Sequence, residues 1–150
     1  MKVLVPVDGS VQSLEALKVA IDYVKIKGAD MNVISVIPSI GGSMEDHEIS
    51  PARIERHVES MEKRANDIVK QACDILASEK VMSRCAKAIS TSVSIPDAII
   101  DFAEDENIDL IIMGSRGLSA STRIKLGSVA TQVIKYSPCS VYLVKAPMKD

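Results

Sequence analysis

The sequence predicts an α/β domain: one doubly wound, five-stranded parallel sheet with helices on both faces. Three observations carry this reading. Five short runs rich in β-branched residues alternate with segments of helical periodicity along the 150 residues. The runs are nearly continuous in apolar character, as strands buried on both faces must be. The helical segments fall between the runs, where right-handed crossovers place them over a parallel sheet. The length is that of a single domain, and a 47% hydrophobic fraction supplies its core.

Residues 2–7 (Lys-Val-Leu-Val-Pro-Val) make the first predicted strand, which ends at Asp8-Gly9. From Ser10 onward, Leu14, Leu17, Ile21 and Val24 recur at the spacing of one helical face, and Gly28 supplies a stop. Residues 31–37 make the second strand, and the polar, Gly-containing stretch 38–50 is expected to be a mobile loop. Ser50-Pro51 then cap and open a long helix. Its apolar face reads Ile54, Val58, Met61, Ala65, Ile68, Ala72 and Ile75. A weaker third strand is expected over 86–93, then a short helix opened by Pro96 and carrying Ile99, Ile100 and Ala103. Residues 109–113 make the fourth strand and run straight into Gly114. A helix over 128–136 buries Val129, Val133 and Ile134 or their neighbours, and residues 140–145 form the fifth strand.

Composition removes several classes of function. A net charge of -2 gives no overall drive toward nucleic acid or anionic lipid. Phe102 and three tyrosines are the whole aromatic complement, too few for a base-stacking platform. No run approaches the roughly 18 apolar residues of a membrane span. The apolar run at the N-terminus stops at Asp8, too soon for an export signal, so a cytoplasmic protein is expected. Cys73, Cys85 and Cys139 are odd in number and lack CxxC spacing, and they are read as reduced, buried small hydrophobes. His47 and His57 have no cysteine at ligand spacing, which argues against a zinc site.

In sheets of this kind the ligand crevice lies at the carboxyl ends of the strands. That rule points to Pro6–Ser10, Val36–Ser39, Val93–Pro96 and Met113–Gly117. The last segment opens the informative motif, Gly114-Ser115-Arg116-Gly117, nine residues, then Gly127-Ser128. Glycines at a strand end allow backbone amides to converge on a ligand, and Gly127-Ser128 directly precedes a helix whose N-terminus favours an anion. Two such nests can cradle successive phosphates. The charge agrees: between Leu110 and Lys149 there is no acid, yet there are six bases, Arg116, Arg123, Lys125, Lys135, Lys145 and Lys149. Taken alone, these features also describe a tight turn on a solvated basic surface.

The whole pattern resembles the universal stress protein family, in particular its nucleotide-binding branch, whose signature is G-2x-G-9x-G-[S/T]. Val5-Pro6-Val7-Asp8-Gly9-Ser10 with Ser13, Ala16 and Leu17 is similar to the family's opening strand, loop and helix. Val33–Val36, Asp109–Gly114 and Ser137-Pro-Cys-Ser-Val141 occupy its second-strand, fourth-strand and last-strand positions. The resemblance implies a strand order of 3-2-1-4-5 and an adenine nucleotide, ATP or else AMP or ADP, with Mg²⁺ or Mn²⁺ beside the phosphates. It implies that Pro6, Val7 and Asp8 line the nucleoside pocket, with Asp8 near the ribose. The backbone of Val36 would meet the adenine edge, and Met113 would pack near the nucleoside. Gly114, Ser115, Arg116, Gly117, Gly127, Ser128 and Val129 would form the phosphate loop. One departure stands out: where the family often has Gly-x-Pro, this chain has Ser94-Ile95-Pro96, so that loop must bend differently or use the Ser94 hydroxyl.

The expected function is a nucleotide-dependent switch in the stress response, acting on a downstream protein the sequence does not name. Hydrolysis is expected to be slow at best, because no general base accompanies the glycines. The alternatives are a stress-related interaction protein whose nucleotide site is empty or regulatory, and a flavin-binding electron carrier, which would lack aromatic residues to stack on the ring. A P-loop NTPase needs GxxxxGK[ST], which is absent, and the chain resembles a receiver domain less because Asp8 has no acidic neighbour and the third strand ends at Ser92-Val93-Ser94 without a phosphoacceptor Asp. A homodimer is expected through strand 140–145. Val141-Tyr142-Leu143-Val144 is apolar on both faces and unprotected at a sheet edge, the alternative being an edge covered by residues 145–150.

Overall fold

The computed structural model describes residues 1–38, 50–117 and 126–145. The expected loop 38–50, apart from its two ends, lies outside the described residues, as do Arg123, Lys125 and Lys149. The elements are β1 (Lys2–Pro6), α1 (Val11–Lys27), β2 (Asp30–Ile37), α2 (Pro51–Ser78), β3 (Ser83–Ser90), α3 (Ile95–Asp105), β4 (Leu110–Gly114), α4 (Ser128–Tyr136) and β5 (Ser140–Val144). All strand pairs are parallel, and the sheet runs β3-β2-β1-β4-β5. This is the doubly wound topology, with the order reversing between β1 and β4.

Alternation along the strands divides the core. Val3, Val5 and Val7 face the same side as Met31, Val33, Leu110 and Ile112, and pack on Ala16, Leu17 and Ala20 of α1 and on Ala72 and Leu76 of α2. Leu4, Ile34, Ile111 and Met113 face the other side, against Ile99, Phe102 and Ala103 of α3 and Ala130 and Val133 of α4. Asn32 is buried in β2, where its amide donates to the Val3 carbonyl (3.2 Å).

Caps fix the helix ends. The hydroxyls of Ser10, Ser50 and Ser94 each accept the amide three residues on, at Ser13, Arg53 and Asp97. Gly28 closes α1 at φ 67, the left-handed conformation glycine takes without a Cβ penalty. The free ends of α1 and α2 meet in an ion pair between Lys25 and Glu79 (2.8 Å), whose ammonium hydrogen bond holds the Glu79 carboxyl below the ordinary glutamate range.

Several expectations are corrected. β3 spans Ser83–Ser90 rather than 86–93, and as an edge strand it is only half-buried. On α2 the fully buried residues are Ala65, Val69, Ala72 and Leu76, while Ile54, Val58, Met61, Ile68 and Ile75 are half-buried. The read face followed a strict 3.5-residue repeat, whereas a straight α-helix drifts about 20° per heptad. On α4, Ala130 and Val133 are buried, Val129 is half-buried and Ile134 is 45% exposed, because a nine-residue helix at the sheet margin has room to bury one stripe. Cys73, Cys85 and Cys139 are free but half-buried, since they lie on a helix flank, on the edge strand β3 and in the bend before β5.

Candidate functional site

A cavity of about 490 Å³ opens at the carboxyl ends of β1, β2 and β4, at the switch point. Pro6, Val7, Asp8, Val36, Met113, Gly114, Arg116, Gly117, Gly127, Ser128 and Val129 all line it. The structure therefore brings together every sequence-predicted site residue except Ser115, which is 1% exposed and faces inward.

Ser115 has a different task. Its amide donates to the Val144 carbonyl (3.0 Å), and its own carbonyl accepts the Gly127 amide (2.6 Å). The two glycine segments are thus clasped to one another, and Gly127 spends its N–H on that clasp. Arg116, Gly117, Ser128, Val129 and Ala130 line the cavity on either side of that clasp. The amides of Arg116 and Gly117 have no partner among the described residues. Those of Ser128, Val129 and Ala130 form the first turn of α4, which begins its own bonding with Thr131 to Gly127 (3.0 Å). Gly127, not Ser128, is the N-cap, and it carries no capping side chain. The N-terminus of α4, the positive end of its dipole, therefore borders the cavity, which Arg116 also lines.

The glycines are constrained by neighbours as much as by any ligand. A Cβ on Gly114 would stand 2.9 Å from Cβ of Gln12, so this glycine lets α1 approach β4. A Cβ on Gly127 would lie 3.3 Å from Cα of Arg116, inside the clasp. A Cβ on Gly117 would stand 2.8 Å from Oδ2 of Asp8.

Asp8 is held from both sides. Its Oδ1 accepts the Ser10 amide (2.9 Å), an Asx turn that lets the chain pass through Gly9 at φ 84. Its own amide donates to the Ser13 hydroxyl (3.4 Å), which in turn donates to the Ser10 carbonyl (3.0 Å). The half-buried carboxylate is fixed at the cavity wall, where it is the one acid among the described lining residues. A cluster of three or more potential metal ligands is absent among the described residues.

Sequence reasoning missed a whole wall. Met61, Arg64, Ala65 and Ile68 of α2 line the cavity, together with Ser35 of β2 and Ile95 and Ile99 of α3. The helix face of α2 was legible, but its placement above the strand ends is set by tertiary packing. Ser94 is not part of the lining: its hydroxyl caps α3 by accepting the Asp97 amide (3.2 Å).

Fold and site together define a doubly wound α/β domain whose crevice at the switch point pairs apolar side chains of α2 and α3 with the two glycine segments. The chain belongs to the universal stress protein family, whose model matches residues 1–145. It is 34% identical over 155 residues to a universal stress protein of Methanocaldococcus jannaschii, covering 99% of this chain and 84% of that one. Universal stress protein UspA from Lactobacillus plantarum superposes with a TM-score of 0.80 at 23% identity, covering 96% of this chain and 97% of that one. The universal stress protein from Archaeoglobus fulgidus, solved in complex with dAMP, superposes with a TM-score of 0.65 at 23% identity, covering 97% and 98%. Other solved proteins of this fold carry cAMP, or AMP in one from Arabidopsis thaliana.

Proposed function

We propose that this protein binds an adenine nucleotide, ATP or in its place AMP or ADP, in the cavity at the strand ends, and acts as a nucleotide-dependent switch in the stress response. The observation that carries the reading is that Arg116 and Gly117, whose amides have no partner among the described residues, and the α4 N-terminus line the same cavity that Asp8 walls. Such an arrangement suits phosphate oxygens at one end and ribose hydroxyls at the other. The bound dAMP, AMP and cAMP of the proteins compared above support an adenine nucleotide as the ligand class.

In this reading Pro6, Val7 and Met113 pack the nucleoside, the Val36 backbone meets the adenine edge, and Asp8 accepts from the ribose. Arg116, Gly117, Ser128 and Val129 hold phosphate. Gly114, Ser115 and Gly127 build the loop that presents them. A Mg²⁺ or Mn²⁺ ion would travel with the phosphates, which would supply most of its ligands, and Asp8 is the one carboxylate among the described lining residues. Asp8 already spends Oδ1 on Ser10, which supports slow hydrolysis at best and a protein that works by binding.

Calorimetry tests the reading. Wild type is expected to bind ATP and AMP, and Gly127→Val, which crowds Arg116 in the clasp, is expected to lose at least tenfold, about 1.4 kcal/mol. Equal ATP affinity in the two proteins would reject the site.

A further inference from the structure

We propose that Arg64 is a binding residue for the nucleoside end of the ligand, its guanidinium plane covering the purine from the α2 side. The assignment rests on the adenine-nucleotide reading and goes beyond it by naming what closes the base.

The position of Arg64 follows from the helix that carries it. Ile68, one turn later on the same face, packs at Gly9: a Cβ there would lie 3.3 Å from its Cδ1 and its Cγ1. Arg64 and Met61 therefore rise from the β1–α1 loop over the mouth of the cavity, and both line it. α2 packs on the β2 and β3 side of the sheet, whereas the glycine clasp lies on the β4 and β5 side. Neighbouring strands are about 4.8 Å apart, so β2 and β4 are separated by roughly 10 Å. Arg116, just after β4, supplies a cation to the glycine segments, whereas Arg64 comes from α2, the helix packed on β2 and β3.

Chemistry then decides what Arg64 meets. The lining contains no Phe, Tyr or Trp among the described residues. A purine held there has aliphatic surface from Val7, Ile68, Ile99 and Met113, and among the described lining residues Arg64 and Arg116 carry the only planar side-chain cations; with Arg116 assigned to phosphate, the guanidinium of Arg64 is left to stack on the base. Arginine combines a weakly hydrated charge with that plane, which lysine does not. Arg64 makes no ion pair among the described residues.

The test titrates adenosine, AMP and ATP into wild type, Arg64→Ala, Arg64→Lys and Gly127→Val by calorimetry. Arg64→Ala is expected to weaken all three ligands by the same factor, about five- to tenfold, the scale of a partly desolvated cation–π contact. Arg64→Lys is expected to weaken them nearly as much, while Gly127→Val spares adenosine and weakens AMP and ATP. Losses confined to ATP, no loss at all, or full affinity in Arg64→Lys would each overturn the assignment while leaving the nucleotide reading standing. A wild-type protein that binds none of the three ligands would overturn the nucleotide reading first and the role of Arg64 with it.

Discussion

The carboxylate of Asp8 and the bare Cα of Gly117 interlock across the cavity wall: a Cβ on residue 117 would stand 2.8 Å from Oδ2. Asp8 cannot yield freely, because Oδ1 is tied to the Ser10 amide at 2.9 Å. The glycine that reads in the sequence as a phosphate loop residue is therefore also the space into which the loop after β1 is locked. The loop after β1 and the glycine segment after β4 thus share one contact at the cavity wall.

Gly117→Ala should consequently act on Asp8. In the wild-type background it is expected to displace the carboxylate and weaken adenosine as well as ATP. In an Asp8→Ala background the same change should cost little. A double-mutant cycle by calorimetry is expected to give a coupling of about 0.5–3 kcal/mol, the range for residues in contact. Additive losses would show that the two residues act separately.

Asp8 itself should recognise the nucleoside. Asp8→Ala is expected to weaken ATP and adenosine by similar amounts, about 1–3 kcal/mol for a hydrogen bond to a charged group. Asp8→Asn keeps an acceptor for the Ser10 amide and so separates the turn from the ligand contact. A loss confined to the triphosphate would instead put Asp8 at the metal.

Turnover of ATP should be slow. A steady-state assay with Mg²⁺ is expected to fall far below ordinary enzyme values, on the order of 10 s⁻¹. A rate near that value would make Asp8 and Arg116 the first groups to replace.

The fifth strand should join two copies. The Val144 carbonyl accepts the Ser115 amide and so faces β4, and by alternation Val141 and Leu143 direct their backbone groups away from the sheet. Tyr142 is 48% exposed on that edge, and Tyr136 of α4 is 57% exposed. Proline at position 141 or 143 removes an outward donor without touching the β4 ladder, and light scattering is expected to show monomer. Cys139→Ser should leave the assembly unchanged. A wild-type monomer at micromolar concentration, with or without ATP, would end the idea.

The sequence was most legible where burial is two-sided. β1, β2 and β4 are apolar runs with no solvent face to confuse the pattern, so they lie within a residue of the expected 2–7, 31–37 and 109–113. β3 was harder because an edge strand reading Ser-Arg-Cys-Ala-Lys-Ala-Ile-Ser carries the polarity of a loop. In the site, Asp8 and the glycines were legible through their order along the chain. The inward turn of Ser115 was not, since it depends on the Gly127 and Val144 partners that close the clasp. Arg64 was not legible either, because nothing on α2 reveals which strand ends it will overhang.

α2 runs 28 residues, about 42 Å at 1.5 Å per residue, yet every fully buried side chain on it lies at or beyond Ala65. It is a cantilever, clamped to the sheet by one half and reaching over the cavity with the other. Backbone amides in the clamped half exchange with solvent only when the core opens, whereas those before Arg64 lack that protection. A single helix thus carries both a probe and its reference. In hydrogen–deuterium exchange, occupancy of the cavity would register as slowed exchange over 54–64 against an unchanged signal over 69–76, with no label and no second protein.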